Sequence, residues 1–233
     1  MTDLTVIIPV YYENVEVVER LYHEVLATGA TPLVVDDGDT MKLSISKLTY
    51  TPHQGYGYAI KEGIKAAKTD IICTMDGDGQ HSIVDVKKIY TTFKLLTQGA
   101  MVVGQRWDLK EGPLRRIGRK ALNLLASLLA NHYLVDLNSG LRVFRRDLAM
   151  AYISILCDRF SFTTSLSMSV ITDKYKVAYF PIDVMPRTHG SSKVRVIQDG
   201  LVTLYYILRI GIAIRTRRLR QWLRPVTNLI LRR

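Results

Sequence analysis

The sequence predicts an α/β fold, a mixed but mostly parallel sheet with helices on both faces, followed by C-terminal amphipathic helices that associate with a membrane. Three observations carry this. Short β-branched apolar runs alternate with stretches of helical periodicity from residue 4 onward. Acidic or polar residues stand directly after each of these runs, where an open α/β sheet presents its ligand crevice. From Gln198 the chain is apolar at helical spacing, and Arg215 to Arg233 holds seven arginines and no acid.

The elements follow in order. Leu4 to Val10 is a buried strand, and Glu13 to Ala27 a helix with Val17, Leu21 and Val25 on one face, stopped by Gly29. Pro32 to Val35 is a second strand, ending at Asp36-Asp37. After a polar stretch, Tyr58 to Lys68 is helical, with Ile60, Ile64 and Ala67 aligned. Asp70 to Met75 is a strand that ends at Asp76-Gly77-Asp78; Val84 to Leu96 is a helix; Ala100 to Gly104 is another buried strand, ending at Gln105-Arg106. The second half is less regular: a helix over Ala121 to Ala130, a polar turn at Asp136 to Gly140, a strand at Leu141 to Phe144, helix-like sequence from Ser165, and a strand at Val177 to Phe180. No repeat or linker interrupts it, so residues 1–197 read as one domain and 198–233 as a basic amphipathic membrane-associating segment.

Composition narrows the function. The 48% hydrophobic content excludes a disordered chain, and two cysteines in apolar sequence, Cys73 and Cys157, suit a reducing compartment. Met1 to Val10 has no basic region followed by a long apolar stretch, so no signal peptide is read. Thirty-two cations against 21 acids leave +11, which calls for a polyanionic partner: nucleic acid, acidic lipid or a phosphorylated substrate. Nucleic acid is disfavoured, because the basic residues lie in loops and in the tail without interleaved aromatic residues.

The strongest chemical signal is Met75-Asp76-Gly77-Asp78-Gly79-Gln80-His81. Two carboxylates two residues apart on a glycine-containing turn can reach one hard cation, Mg²⁺ or Mn²⁺, and such an ion neutralises a departing diphosphate. A solvated turn is the alternative. Asp36-Asp37 can give one hydrogen-bond acceptor to a nucleoside and one cap to the next turn. Tyr11 can line a base pocket, and Glu13 can bond a nucleoside or simply favour the start of a helix. Gly55-Tyr56-Gly57 lacks the third glycine of a dinucleotide fingerprint and does not follow the first strand, so it reads as a tight loop against the sheet. Arg106, the run Arg115-Arg116 with Arg119-Lys120, and Arg187 with Lys193 make up three basic sets suited together to polyphosphate; any one of them alone is an ordinary surface charge. No histidine has metal-ligand spacing to another histidine or to a cysteine.

Taken in order, these motifs resemble family 2 glycosyltransferases of the GT-A fold, and most closely the dolichyl-phosphate mannose synthase and polyprenyl-phosphate glycosyltransferase branch. The resemblance runs over residues 4–200 and rests on Ile8 to Glu13, Val34 to Gly38, Met75 to His81, Gly104 to Arg106, Asp136 to Phe144, and Arg187 to Lys193. It implies a Rossmann-like sheet. It further implies that Pro9, Tyr11, Glu13, Val35 and Asp37 hold the nucleoside, and that Asp76, Asp78 and Gln80 bind Mg²⁺ or Mn²⁺, with the Gly77 backbone between them. Arg106 and Arg116 would face the acceptor phosphate and the donor and, with Asp78, carry catalysis. Arg187 and Lys193 would clamp the diphosphate from a mobile loop, and Ser139 and Arg142 would lie on the acceptor side.

The implied reaction is inverting transfer of a hexose from GDP-mannose or a UDP-sugar to a polyprenyl or dolichyl phosphate at the cytoplasmic face of a membrane, by a peripheral or monotopic enzyme. An acceptor phosphate is already anionic at neutral pH, so it needs positioning more than a general base. A soluble sugar or protein acceptor is the alternative within the family. The sequence departs from the family at Tyr12, where asparagine is common, at Gly79, where mannose synthases more often carry leucine, and in a short stretch after Asp37. In the C-terminal segment, Leu201, Leu204, Tyr205, Leu208 and Ile212, and then Leu219, Trp222, Leu223 and Val226 among arginines, repeat at helical spacing as expected of interfacial helices, the alternative being a helix packed on the domain with a solvated tail.

Overall fold

The computed structural model describes residues 1–96, 99–107, 112–172, 175–185 and 198–212. Among them, seven strands build one sheet in the order β3-β2-β1-β4-β6-β5-β7. The strands are β1 (Leu4–Val10), β2 (Thr31–Asp37), β3 (Lys47–Tyr50), β4 (Ile71–Thr74), β5 (Gly99–Arg106), β6 (Arg142–Arg145) and β7 (Lys176–Ile182). All neighbours are parallel except β6, which runs antiparallel to both β4 and β5.

Side chains on a strand alternate between faces, and β1 shows the consequence. Val6, Ile8 and Val10 join one core with Val18 and Leu21 of α1 (Val15–Leu26) and Val86 and Ile89 of α3 (Ile83–Leu95). Ile7 points the other way, toward Ile60 and Ile64 of α2 (Tyr56–Ala66) and Phe162 and Leu166 of α6 (Phe162–Thr172), with the short α5 (Arg146–Tyr152) on the same side. Burial on both faces explains why β1 reads as an unbroken apolar run. Helices α1 and α3 begin where the sequence provides a cap: the Asn14 side chain accepts from Val17 N, and Ser82 accepts from Asp85 N.

A third core lies at one end. There α4 (Pro113–Ala130) and the helix over 198–212 meet, with Ala126, Ala130, Met168, Ile207 and Ile210 buried together. The helix that opens the expected C-terminal segment therefore shares its core with the rest of the domain; residues 213–233 lie outside the described residues. Among the described residues no helix is long and apolar enough to cross a membrane.

Candidate active site

The carboxyl ends of β1, β2, β4 and β5 open on the same edge, and the chain reverses its direction of travel across the sheet between β1 and β4. A ligand crevice is expected at that point. A cleft of roughly 820 Å³ opens there, lined among others by Pro9, Tyr11, Glu13, Asp37, His53 and Tyr56. Four of the residues expected at the nucleoside thus converge from β1 and β2. Leaving β1, the chain turns through Tyr12 at φ 49°, an uncommon conformation for a bulky residue, and Thr40 Oγ1 accepts from its backbone nitrogen at 3.0 Å.

Asp37 is buried, and its carboxylate organises the far wall. It accepts from Gln54 N and Gly55 N at 2.8 Å each, and His53 Nδ1 stands 2.7 Å from it. The His53 ring in turn stacks on Tyr11 at 4.0 Å between centroids. Asp36 points away into a separate cage of Thr40, Met41 and Lys47, so of the acidic pair one residue faces the cleft and the other caps the following turn. Gly57 lets this loop seat on the segment that follows α5: a Cβ there would stand 2.2 Å from Cys157 O. That segment adds Arg159 and Phe160 to the cleft, and Phe160 stacks on Tyr56 at 5.5 Å.

Asp76 follows β4 and is held on both carboxylate oxygens. Tyr56 Oη donates to Oδ1 at 2.8 Å, and His81 Nε2 lies 3.4 Å from Oδ2. Burial alone would raise the Asp76 pKa, but the His81 and Tyr56 hydrogen bonds and the Arg106 charge outweigh it and keep the carboxyl below its usual range. Gly140 packs directly beneath it, since a Cβ there would fall 2.4 Å from Oδ2. Asp78 is buried nearby, accepting from Gln80 N at 3.0 Å. Gln80 itself ties the turn to the 183–185 segment, its side-chain nitrogen donating to Met185 O at 3.1 Å and its carbonyl accepting from Met185 N at 3.0 Å. Gly77 packs on β1, where a Cβ would come within 2.7 Å of Val10 Cγ1.

Among the described residues no group of three histidine, cysteine or acidic side chains is arranged to hold a metal. The donor set that is present, an ionised Asp76 beside Asp78, consists of hard oxygens and fits Mg²⁺ or Mn²⁺ sharing its remaining positions with phosphate oxygens.

A second, smaller pocket of about 290 Å³ is lined by Gln105, Arg106, Trp107, Arg116, Arg119, Lys120, Val135 and Asp136. It brings Arg106 of β5 together with Arg116, Arg119 and Lys120 of α4. Arg106 Nε and Nη2 form a fork on buried Asp136, each at 2.8 Å. Burial would raise Asp136, but the Arg106 hydrogen bonds and charge hold it below the usual carboxylate range.

Three expectations need correction or fall outside view. Val35 is fully buried in the sheet core on the α2 face, so its side chain lines no cleft. Arg142 is also fully buried: Nε donates to Ser139 O at 2.6 Å, Nη1 to Thr163 O at 3.0 Å and Ser167 Oγ at 2.6 Å, and Nη2 to Leu137 O at 2.6 Å. Burial lowers its pKa to about 10, which still leaves it charged at neutral pH; its nitrogens are spent on bracing the 136–141 turn from within the core. Ser139 lies in the same turn, buried, its hydroxyl without a hydrogen-bond partner. Arg187 and Lys193 lie outside the described residues. Residues the sequence did not single out are His53, Arg159 and Phe160; only the fold brings these to the cleft.

Fold and site together define an α/β group-transfer protein of the GT-A type. The chain belongs to glycosyl transferase family 2, whose model matches residues 5–152. It is 26% identical over 171 residues to the UDP-N-acetylglucosamine–dolichyl-phosphate N-acetylglucosaminyltransferase of Methanococcus voltae, covering 69% of this chain and 67% of that one. It is 23% identical over 230 residues to the dodecaprenyl-phosphate galacturonate synthase of Rhizobium johnstonii, covering 88% and 67%. In fold it matches the crystal structure of glucosyl-3-phosphoglycerate synthase from Mycobacterium tuberculosis in complex with Mn²⁺, UDP and phosphoglyceric acid. That match has a TM-score of 0.69 at 15% identity and covers 89% of this chain and 78% of that one.

Proposed function

We propose that this chain is an inverting, metal-dependent glycosyltransferase that moves a hexose from a nucleotide-sugar, GDP-mannose or a UDP-sugar, to a polyprenyl or dolichyl phosphate at the cytoplasmic face of a membrane. The observation that carries this reading is the division of the site. A cleft roomy enough for a nucleotide-sugar and a small arginine pocket are linked through Asp76, which is bonded by Tyr56 of the first and feels the charge of Arg106 of the second. Two phosphorylated substrates need two anion-handling regions on either side of the transferred group. The names of the Methanococcus and Rhizobium relatives support a polyprenyl-phosphate acceptor.

In this reading Tyr11, Glu13 and Asp37 receive the nucleoside, with His53 as a stacking wall. Asp76 and Asp78 would hold Mg²⁺ or Mn²⁺, an ion that supplies neutralising charge to the departing diphosphate. Arg106 and Arg116 orient the acceptor phosphate, with Arg187 and Lys193 assigned to the donor diphosphate. The acceptor oxygen, ionised at neutral pH, attacks the anomeric carbon as the bond to the diphosphate breaks, and this single displacement inverts that carbon. No proton has to be removed from the acceptor phosphate in this step.

A soluble phosphorylated acceptor is the second reading. It is favoured by the fold match to an enzyme crystallised with phosphoglyceric acid, and a pocket of this size suits any phosphomonoester. The test of the common core is Asp78→Asn. It is expected to abolish transfer from every GDP- or UDP-sugar offered with Mn²⁺ while moving the thermal midpoint little. Wild-type transfer rates in that variant would remove Asp78 from the metal site.

A further inference from the structure

Arg159 reaches the cleft from the segment between α5 and α6. It is the one lysine or arginine among the described residues that line the cleft, where Glu13, Asp37 and Asp199 are acidic. Its side chain is exposed and, among the described residues, meets no carboxylate and no hydrogen-bond partner. Its backbone is fixed. Arg159 N donates to Cys157 Sγ at 3.3 Å, and Arg159 O accepts from Phe162 N at 3.0 Å. The missing Cβ of Gly57 leaves room for that carbonyl, since one there would come within 2.8 Å of it. The side chain then departs over Gly55, its Cγ lying 3.7 Å from where a Gly55 Cβ would stand. Gly55 N is the group that donates to Asp37 Oδ2 at 2.8 Å. An arginine stem is thus seated beside Asp37, at the end of the cleft assigned to the nucleoside, and carries a fork of five N–H donors there.

What Asp37 and Arg159 can recognise together follows from their donors and acceptors. Asp37 accepts from Gln54 N on Oδ1, and both Gly55 N and His53 Nδ1 stand on Oδ2, so Oδ1 is the less occupied oxygen. A carboxylate oxygen calls for an N–H, and a guanidinium calls for an acceptor. Uracil offers N3–H beside O4, and guanine offers N1–H beside O6. Cytosine and adenine reverse that order. Their ring nitrogen would turn a lone pair toward the carboxylate, and their amino group would face the guanidinium. Each reversed contact leaves a desolvated polar group unpaired, so the wrong base is repelled as well as left unbound.

We propose that Arg159 is a specificity-determining residue that donates to the keto oxygen of the donor's nucleobase while Asp37 accepts the adjoining imino N–H. The two side chains admit uracil or guanine and reject cytosine and adenine. This inference rests on the nucleotide-sugar reading and deepens it by giving the choice of base to one named side chain. Binding of a nucleoside diphosphate measures it without any acceptor or transfer.

The experiment is calorimetric titration of the full chain, with Mn²⁺ present, by UDP against CDP and by inosine diphosphate against ADP. The members of each pair differ only at the edge in question. Wild type is expected to favour the keto member of the pair it binds by at least about tenfold. Arg159→Ala should cut that preference to about threefold or less, chiefly by weakening the keto member. Arg159→Lys keeps a cationic donor without the planar fork and should fall between the two. Arg159 is exposed, so the thermal midpoint of both variants should hardly move. An Arg159→Ala chain with the wild-type preference overturns the inference. So does an equal loss for every diphosphate, which would put Arg159 on the phosphates, and so does a wild type that binds keto and amino bases alike. A wild type that binds none of the four overturns the nucleotide-sugar reading along with it. A keto preference that Arg159→Ala abolishes supports the inference even where no acceptor is glycosylated, and that result would count against the proposed reaction alone.

Discussion

Arg142→Met tests the structural account at the point where burial and chemistry meet. The guanidinium supplies hydrogen bonds to the carbonyls of Ser139, Leu137 and Thr163 and to the Ser167 hydroxyl, all buried. In its absence Thr163 O keeps a bond from Ser167 Oγ at 3.0 Å, but the Ser139 and Leu137 carbonyls lose theirs. Each buried carbonyl stranded in this way costs about 1–3 kcal/mol. Methionine is cheaper to bury than a guanidinium, which returns part of the loss, so the net destabilisation is about 3 kcal/mol. For a chain of this length that lowers the thermal midpoint by roughly 6–12 °C. Urea unfolding reads it as a shift in midpoint at constant slope. Transfer activity measured well below the new midpoint should also fall, because the 136–141 turn carries both Asp136 and the glycine beneath Asp76. A loss below about 1 kcal/mol would refute the assignment of Arg142 as the brace of that turn.

Gly140→Ala should place a methyl group 2.4–2.5 Å from both Asp76 oxygens and displace the carboxylate; kcat/KM is expected to fall about 100-fold with a weakened Mn²⁺ dependence, measured by metal titration of the rate. Tyr56→Phe removes the 2.8 Å bond to Asp76 Oδ1, so a higher Mn²⁺ concentration should be needed for half-maximal rate, while the stack on Phe160 keeps the fold intact. Asp136 is depressed below 3.8 in the folded chain, so its contribution is complete at neutral pH; it is lost as pH falls from 3.8 through the folded-state value, where the unfolded chain takes up the proton first. Asp136→Asn should therefore be less stable than wild type at pH 7, with the gap in urea midpoint narrowing below pH 4.

The cleft was legible in the sequence to the extent that it depends on position along strands. Polar residues after β1, β2 and β4 must gather at one edge of a parallel sheet, and Tyr11, Glu13, Asp37 and Asp76 do. How far along a strand the core gives way to the cleft was not legible. Val35 and Asp37 share one face of β2, yet Val35 fills the core while Asp37, at the strand end, stands on the cleft wall. Arg142 reads as an acceptor-side residue until the carbonyls around it are seen. His53 reaches Asp37 through a loop with no periodic signal, and β3, four residues at the edge with only partial burial, is too short to show alternation. α4 begins at Pro113, eight residues before the apolar stretch at Ala121, because its basic first half hides the period while proline at the first turn fits a helix start. The antiparallel β6 is set by its partners and not by its own four residues.

The identity of the acceptor is tested most directly by competition in one vessel. The wild-type chain is given a mixture of GDP- and UDP-sugars, Mn²⁺, a polyprenyl phosphate in anionic vesicles and an equal concentration of 3-phosphoglycerate, and the products are read by mass spectrometry. The account predicts a polyprenyl-linked monosaccharide phosphate as the dominant product, absent with EDTA. Sugar transferred chiefly to 3-phosphoglycerate, or a lipid product formed equally well with EDTA, would contradict it.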